Sequence, residues 1–187
     1  MRIWPNIVYN WGSTASERRR PFACDTLLGD ADEVLFRAVD VDAETAVVFR
    51  WLCQLRVAPY SYDKVDNRGR RSPQTLTPGL ERLEVGQRAM SIFTIAEFEQ
   101  DRSITFFSQG RVFGRVACTY HVEDRGRDHS RLLVKMRVSH NRRRLAGLPM
   151  RLLLVPGDLL MMRRQLLNLK ALAERGGRPL TRGGTNG

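Results

Sequence analysis

At 187 residues and 42% hydrophobic, the chain can bury the core of one domain and is short for two. Its net charge of +11 would attract phosphate-bearing partners, but nearly all of the excess is arginine and it is interspersed with acids such as Glu97, Glu99, Glu123 and Glu174; a solvated surface is preferred and no specific nucleic-acid partner is expected. No run approaches the roughly 20 apolar residues of a membrane span, and residues 1–20 lack a continuous apolar stretch and end in Arg18-Arg19-Arg20, so neither a transmembrane segment nor a signal peptide is expected and a cytoplasmic location is.

Residues 1–30 have no clear period and mix Pro5, Gly12, Pro21 and Gly29 with isolated aromatics; they read as an irregular lead-in. Residues 34–41 predict a first strand. Asp42 is placed to cap a helix that runs through Leu55. Within that helix Val48, Trp51, Leu52 and Leu55 follow i, i+3, i+4, i+7 spacing, so one face packs inward until the break before Pro59. Residues 60–67 predict a second short helix or compact loop, carrying Tyr60 and Tyr62 at the mouth of the first. Residues 69–79, with Pro73 and Pro78, predict a connector.

From Met90 the period changes to two. Residues 90–98 and 104–108 predict a strand pair. Val112, Gly114, Val116, Cys118, Tyr120 and Val122 then alternate with Phe113, Arg115, Ala117, Thr119, His121 and Glu123. Leu132, Val134, Met136 and Val138 alternate likewise with Arg131, Leu133, Lys135 and Arg137. A turn at 124–130, containing Gly126, is longer than the tight two-residue type and makes these two strands antiparallel neighbours. The expected sheet is antiparallel, with one dry and one wet face. Residues 145–155 fit either a last strand or a short helix. A long helix is predicted from Asp158, after Pro156-Gly157, to Arg175; its stripe Leu159, Met162, Leu166, Leu169 and Ala173 must lie on the sheet, since each large side chain buried contributes about 1.5–3 kcal/mol gross. Residues 176–187 read as a flexible tail.

The chemistry-bearing residues favour binding over catalysis. His121, His129 and His140 fall on a wet face, in a turn and at a strand end, and no HExxH, GxSxG, CxxC or phosphate-binding glycine loop occurs. No catalytic residue, metal site or cofactor is assigned. Cys24, Cys53 and Cys118 are widely separated and read as buried reduced thiols. Asp63, Asp66 and Asn67 read as capping or turn residues, or as partners of Arg68, Arg70 or Arg71. Tyr120 lies on its strand's apolar face, and an inward phenol needs a hydrogen-bond partner, either a core group or a polar ligand atom.

The ordered segments RAVDVDA, VFRWLCQLRVAPYSYDKVDN, GRRSP, LEVGQRAMSIF and MMRRQLLNLKALAE resemble bacterial members of the SRPBCC superfamily, the START-like and polyketide-cyclase-like helix-grip proteins, over roughly residues 31–174. The resemblance implies an α+β fold in which a curved antiparallel sheet wraps a long C-terminal helix, with two short helices after the first strand, a domain at 31–175 and an apolar cavity. Together with the inward periodicity it places Trp51, Tyr60, Tyr62, Phe98, Val116, Tyr120, Met136, Met162 and Leu166 at a ligand site, with Met136, Met161 and Met162 as an adaptable lining. The expected function is sequestration of a hydrophobic or amphipathic small molecule, lipid or polyketide-like. The alternatives are a polyketide-cyclase-like enzyme using the same pocket, which could act by orienting a reactive chain, and an acidic partner engaged by Arg115, Arg131, Lys135 and Arg137 on the wet sheet face. Oligomeric state is left open.

Overall fold

The computed structural model describes residues 4–67, 69–110, 114–140 and 148–177. Strands β1 (Glu33–Val41), β2 (Arg88–Ala89), β3 (Phe93–Glu99), β4 (Ser103–Gly110), β5 (Gly114–Asp124) and β6 (Ser130–Ser139) form a curved antiparallel sheet in the order β1-β6-β5-β4-β3-β2. The registers Leu35 to Met136, Cys118 to Met136 and Tyr120 to Val134 align the apolar sets of β1, β5 and β6 on one face. The alternation in sequence is therefore the alternation of the sheet. On β3 a register shift between Ile95 and Glu97 brings Ile95 opposite Phe106 and Phe98 opposite Ile104, so both apolar residues meet the main core although they are three apart. The expected strand at residue 90 starts later. Met90 and Ser91 have φ of 46° and 64°, and they make the turn between β2 and β3.

Helices α4 (Thr45–Cys53), α5 (Asp63–Asp66) and α6 (Leu148–Gly177) follow β1 and close the chain, with a 3-10 turn at Gln54–Arg56 continuing α4. Val48, Trp51, Leu52 and Leu55 are buried in the same core as the inner sheet face. Asp42 is not the cap of α4. The helix starts at Thr45 behind Glu44, which makes no side-chain capping bond, while the Asp42 carboxylate meets His129 Nδ1 at 3.1 Å and its backbone N–H donates to Glu174 Oε1 at 2.9 Å.

The C-terminal helix begins ten residues earlier than Pro156-Gly157 predicted, absorbing most of the ambiguous segment. An interior proline costs about 3 kcal/mol, yet Val155, Met162, Leu166, Leu169 and Leu172 are all buried in the main core. Val155 lies in the added turns, and its burial, at about 1.5–3 kcal/mol for a large side chain, offsets that local cost. Residues 145–147 and the tail from 178 lie outside the described residues.

The outer sheet face is wet at β3, where Thr94 and Glu97 are exposed, but not over most of the sheet. The segment expected to be irregular contains α1 (Asn6–Asn10), α2 (Ala15–Arg18) and α3 (Ala23–Leu27), and it packs on β1, β4, β5 and β6. Asn10 and Trp11 bridge in parallel to Phe36 and Arg37, and Gly12, at φ +75°, sits so close that a Cβ would strike the Ala38 carbonyl oxygen. A second core of Phe22, Cys24, Leu28, Phe36, Ala38, Ala117 and Leu133 seals the layer. Glu17, which forms a capping box with Thr14, pairs with Arg131 at 2.9 Å. Asp25 holds Lys135 at 2.7 Å and Arg137 at 3.0 Å, and Arg137 Nε also donates to the Leu28 carbonyl. Of the expected basic surface, Arg131 and Lys135 are thus buried and Arg137 half-buried, each paired with an acid, while Arg115 is exposed.

Candidate ligand cavity

Helix α6 crosses the concave face without filling it. A half-open cavity of about 350 Å³ remains, with Leu35, Val116, Met136 and Val138 as its sheet wall, Met90 and Phe93 at the β2–β3 turn, and Val155, Met161 and Met162 on the helix. Volumes of about 300–1,000 Å³ with mostly apolar walls suit small-molecule sites. Unbranched methionines at Met90, Met136, Met161 and Met162 give that wall side chains able to repack.

The polar groups of the wall are mostly committed. Gln165, on the inward side of α6, accepts the Tyr120 hydroxyl at 2.5 Å and donates to the Pro59 carbonyl at 2.6 Å. Asn168 donates to the Tyr60 carbonyl at 2.8 Å. These bonds fasten the loop after α4 to the helix, and they fix Tyr60 in its left-handed conformation, φ 55°. Asp158 meets Arg37 of β1 at 2.8 Å, and the same guanidinium donates to the Tyr9 and Phe36 carbonyls. Burial raises the Asp158 pKa, and the charge and hydrogen bond of Arg37 offset only part of that rise. Burial likewise pushes the Tyr120 phenol well up, and that of Tyr60 up to about 12 with the Asp63 charge adding.

Comparison with known proteins decides the fold. An aromatase/cyclase named Zhui, from Streptomyces sp. R1128, superposes with a TM-score of 0.50 at 13% identity, covering 80% of this chain and 98% of that one. The chain has an α+β helix-grip fold. A START superfamily protein from Mycobacterium smegmatis aligns at 16% identity and TM-score 0.48, covering 76% of this chain and 97% of that one. The di-domain ARO/CYC BexL of the BE-7585A biosynthetic pathway aligns at 14% identity and TM-score 0.49, covering 79% of this chain, which spans 48% of that longer protein. No protein-family model matches the sequence, and no curated protein matches it. At such identities the likeness establishes the helix-grip fold alone.

Within the helix grip, Val116, Met136 and Met162 border the cavity. Trp51, Tyr60, Phe98, Tyr120 and Leu166 instead pack in or against the core beside it. Trp51 and Tyr60 meet edge to face at 6.1 Å, and Phe106 and Tyr120 at 5.5 Å. Tyr62 is 45% exposed and is not on the described wall. The Tyr120 phenol has its partner in Gln165, so the core alternative is the one realised. Asp63 is structural: its carboxylate accepts the Ser72 amide at 3.0 Å and the Ser72 hydroxyl at 2.6 Å, tying α5 to the connector. Asp66 differs, since neither carboxylate oxygen has a hydrogen-bond partner among the described residues and the residue borders the cavity.

Sequence reasoning passed over Ser61, His140, Asp158 and Gln165 as wall residues. One signal was available. Asp158, Met162, Gln165 and Leu169 are spaced i, i+4, i+7, i+11, so two polar side chains sit on the inward stripe of α6, where polar residues need a reason. No helix among the described residues is long and apolar enough to cross a membrane.

Proposed function

We propose that this protein binds a hydrophobic or amphipathic small molecule, lipid or polyketide-like, between the inner sheet face and α6. The observation that carries the reading is the half-open apolar cavity of about 350 Å³, left where close packing is the rule for an interior. Apolar walls supply affinity by removing ligand surface from water, and the methionines admit variation in its shape. Native mass spectrometry of gently purified protein, followed by organic extraction, tests this directly. A copurifying apolar compound, lost when Val116→Trp fills the cavity while the circular dichroism spectrum is kept, is the expected result. Failure of the wild-type protein to retain any compound or to take up an apolar fluorescent probe would remove the reading.

A cyclase-like reaction in the same cavity is the second reading, and Asp158 favours it. Its carboxyl lies on the wall with a pKa raised by burial, which is the direction a group exchanging protons near neutral pH requires. Turnover of a poly-β-carbonyl substrate that disappears in Asp158→Asn, with folding intact, would establish it.

A further inference from the structure

Building on the cavity reading, we infer that the ligand presents a cationic, hydrogen-bond-donating head, such as an alkylammonium group, to the Ser61–Asp66 side of the cavity. The charge of the wall is the first ground. The ionisable residues on the described wall are Glu33, Asp66, Asp158 and His140; Arg37 compensates Asp158, whereas the Asp66 carboxylate has no hydrogen-bond partner among the described residues. An anionic head beside Asp66 would meet a like charge, and a cationic one an opposite charge.

Unmet hydrogen-bonding capacity is the second ground. Ser61 is only 9% exposed, borders the cavity, and its hydroxyl has no partner among the described residues. Both carboxylate oxygens of Asp66 are buried and equally unpartnered. Buried acceptors left unmade are costly, and a donor arriving with the ligand recovers that cost. Gln165 donates to Pro59 and Met90 and accepts from Tyr120, and Asp158 is paired with Arg37, so Ser61 and Asp66 supply the buried wall oxygens that have no partner among the described residues. An ammonium group offers donors and charge together, a hydroxyl one donor without charge, and a carboxylate neither. The bonds from Asp63 to Ser72 steady α5, which presents Asp66.

The test uses three probes with one tail. Decylamine, decanol and decanoate, each below its micelle-forming concentration at pH 7, are titrated calorimetrically into the full chain, into Asp66→Asn and into Ser61→Ala. The expected order in the wild type is amine, alcohol, acid, with the amine at least about tenfold tighter than the acid. In Asp66→Asn the gap should close to about threefold or less while the alcohol binds as before, which also shows that the variant is folded. Equal binding of all three by the wild type, or preference for decanoate, overturns the head-group inference and leaves the cavity reading standing. Binding of none overturns both.

Discussion

Replacing Arg37 with methionine isolates the contact that pins α6 to the edge strand of the sheet. Arg37 is 1% exposed, and its guanidinium bonds the Asp158 carboxylate at 2.8 Å and the Tyr9 and Phe36 carbonyls at 3.0 and 2.8 Å. The substitution keeps much of the side-chain volume, so the loss is electrostatic rather than a cavity. Removing one partner of a buried pair costs about 3–5 kcal/mol, because the remaining charge is stranded. At this chain length that corresponds to a fall in Tm of roughly 6–20 °C. The pH dependence has a definite sign. Asp158 already has a folded-state pKa above its ordinary 3.8, so the folded protein holds that proton more tightly than the unfolded chain does, and the ionised form weighs against folding once the pH exceeds the folded value. Without Arg37 the pKa rises further, so Arg37→Met should lose more stability at pH 8 than at pH 5. Urea denaturation of both proteins at the two pH values measures this. The double variant Arg37→Met, Asp158→Leu should recover most of the loss, with a coupling of about 2 kcal/mol or more. A single-variant cost under about 1 kcal/mol, the range of a solvated pair, or a cost that grows on acidification, would refute the reasoning.

Gln165→Leu strands the Tyr120 hydroxyl and the Pro59 carbonyl together, so a loss of roughly 2–4 kcal/mol in the same assay is expected, with partial recovery on adding Tyr120→Phe. Asp25→Ala removes the acceptor of the Phe22 amide and the partner of Lys135 and Arg137, and should cost roughly 2–4 kcal/mol and delay elution from heparin as the basic face is uncovered. Burial pushes the Asp25 pKa up, but the Lys135 hydrogen bond, the Phe22 amide and the charges of Lys135 and Arg137 leave it below its ordinary 3.8; its stabilisation is therefore full above that value and disappears as the pH falls through the lower folded one, so the wild type should lose stability faster than Asp25→Ala in acid titrations below pH 4. Cys24, Cys53 and Cys118 are free and buried, and burial raises each thiol's pKa, that of Cys53 to about 12; a thiol reagent at pH 8 should label them only when denaturant is added, and rapid labelling of the native protein would contradict the packing.

The parts of this structure legible in the sequence are those governed by local periodicity. Alternation along residues 114–123 and 132–138 determined which side chains share a sheet face, because successive strand residues point to opposite sides whatever surrounds them. The inward stripe of α4 and the existence of a long C-terminal helix follow from helical spacing in the same way. What covers a face is decided elsewhere. The outer face of β6 read as wet because arginine and lysine alternate along it, yet Glu17 and Asp25, 114 and 110 residues away from Arg131 and Lys135, neutralise it beneath α2 and α3. The start of α6 differs from the expectation for a related reason: a proline is a local cost, whereas the burial of Val155 beside it depends on the core that the sheet brings to the helix. The cavity is likewise a property of the assembled chain. Periodicity shows that Trp51, Tyr120 and Leu166 point inward together with Val116, Met136 and Met162, but only the relative placement of sheet and helix separates those that pack against one another from those that face a void, because empty volume belongs to the gap between elements and to no residue's own pattern.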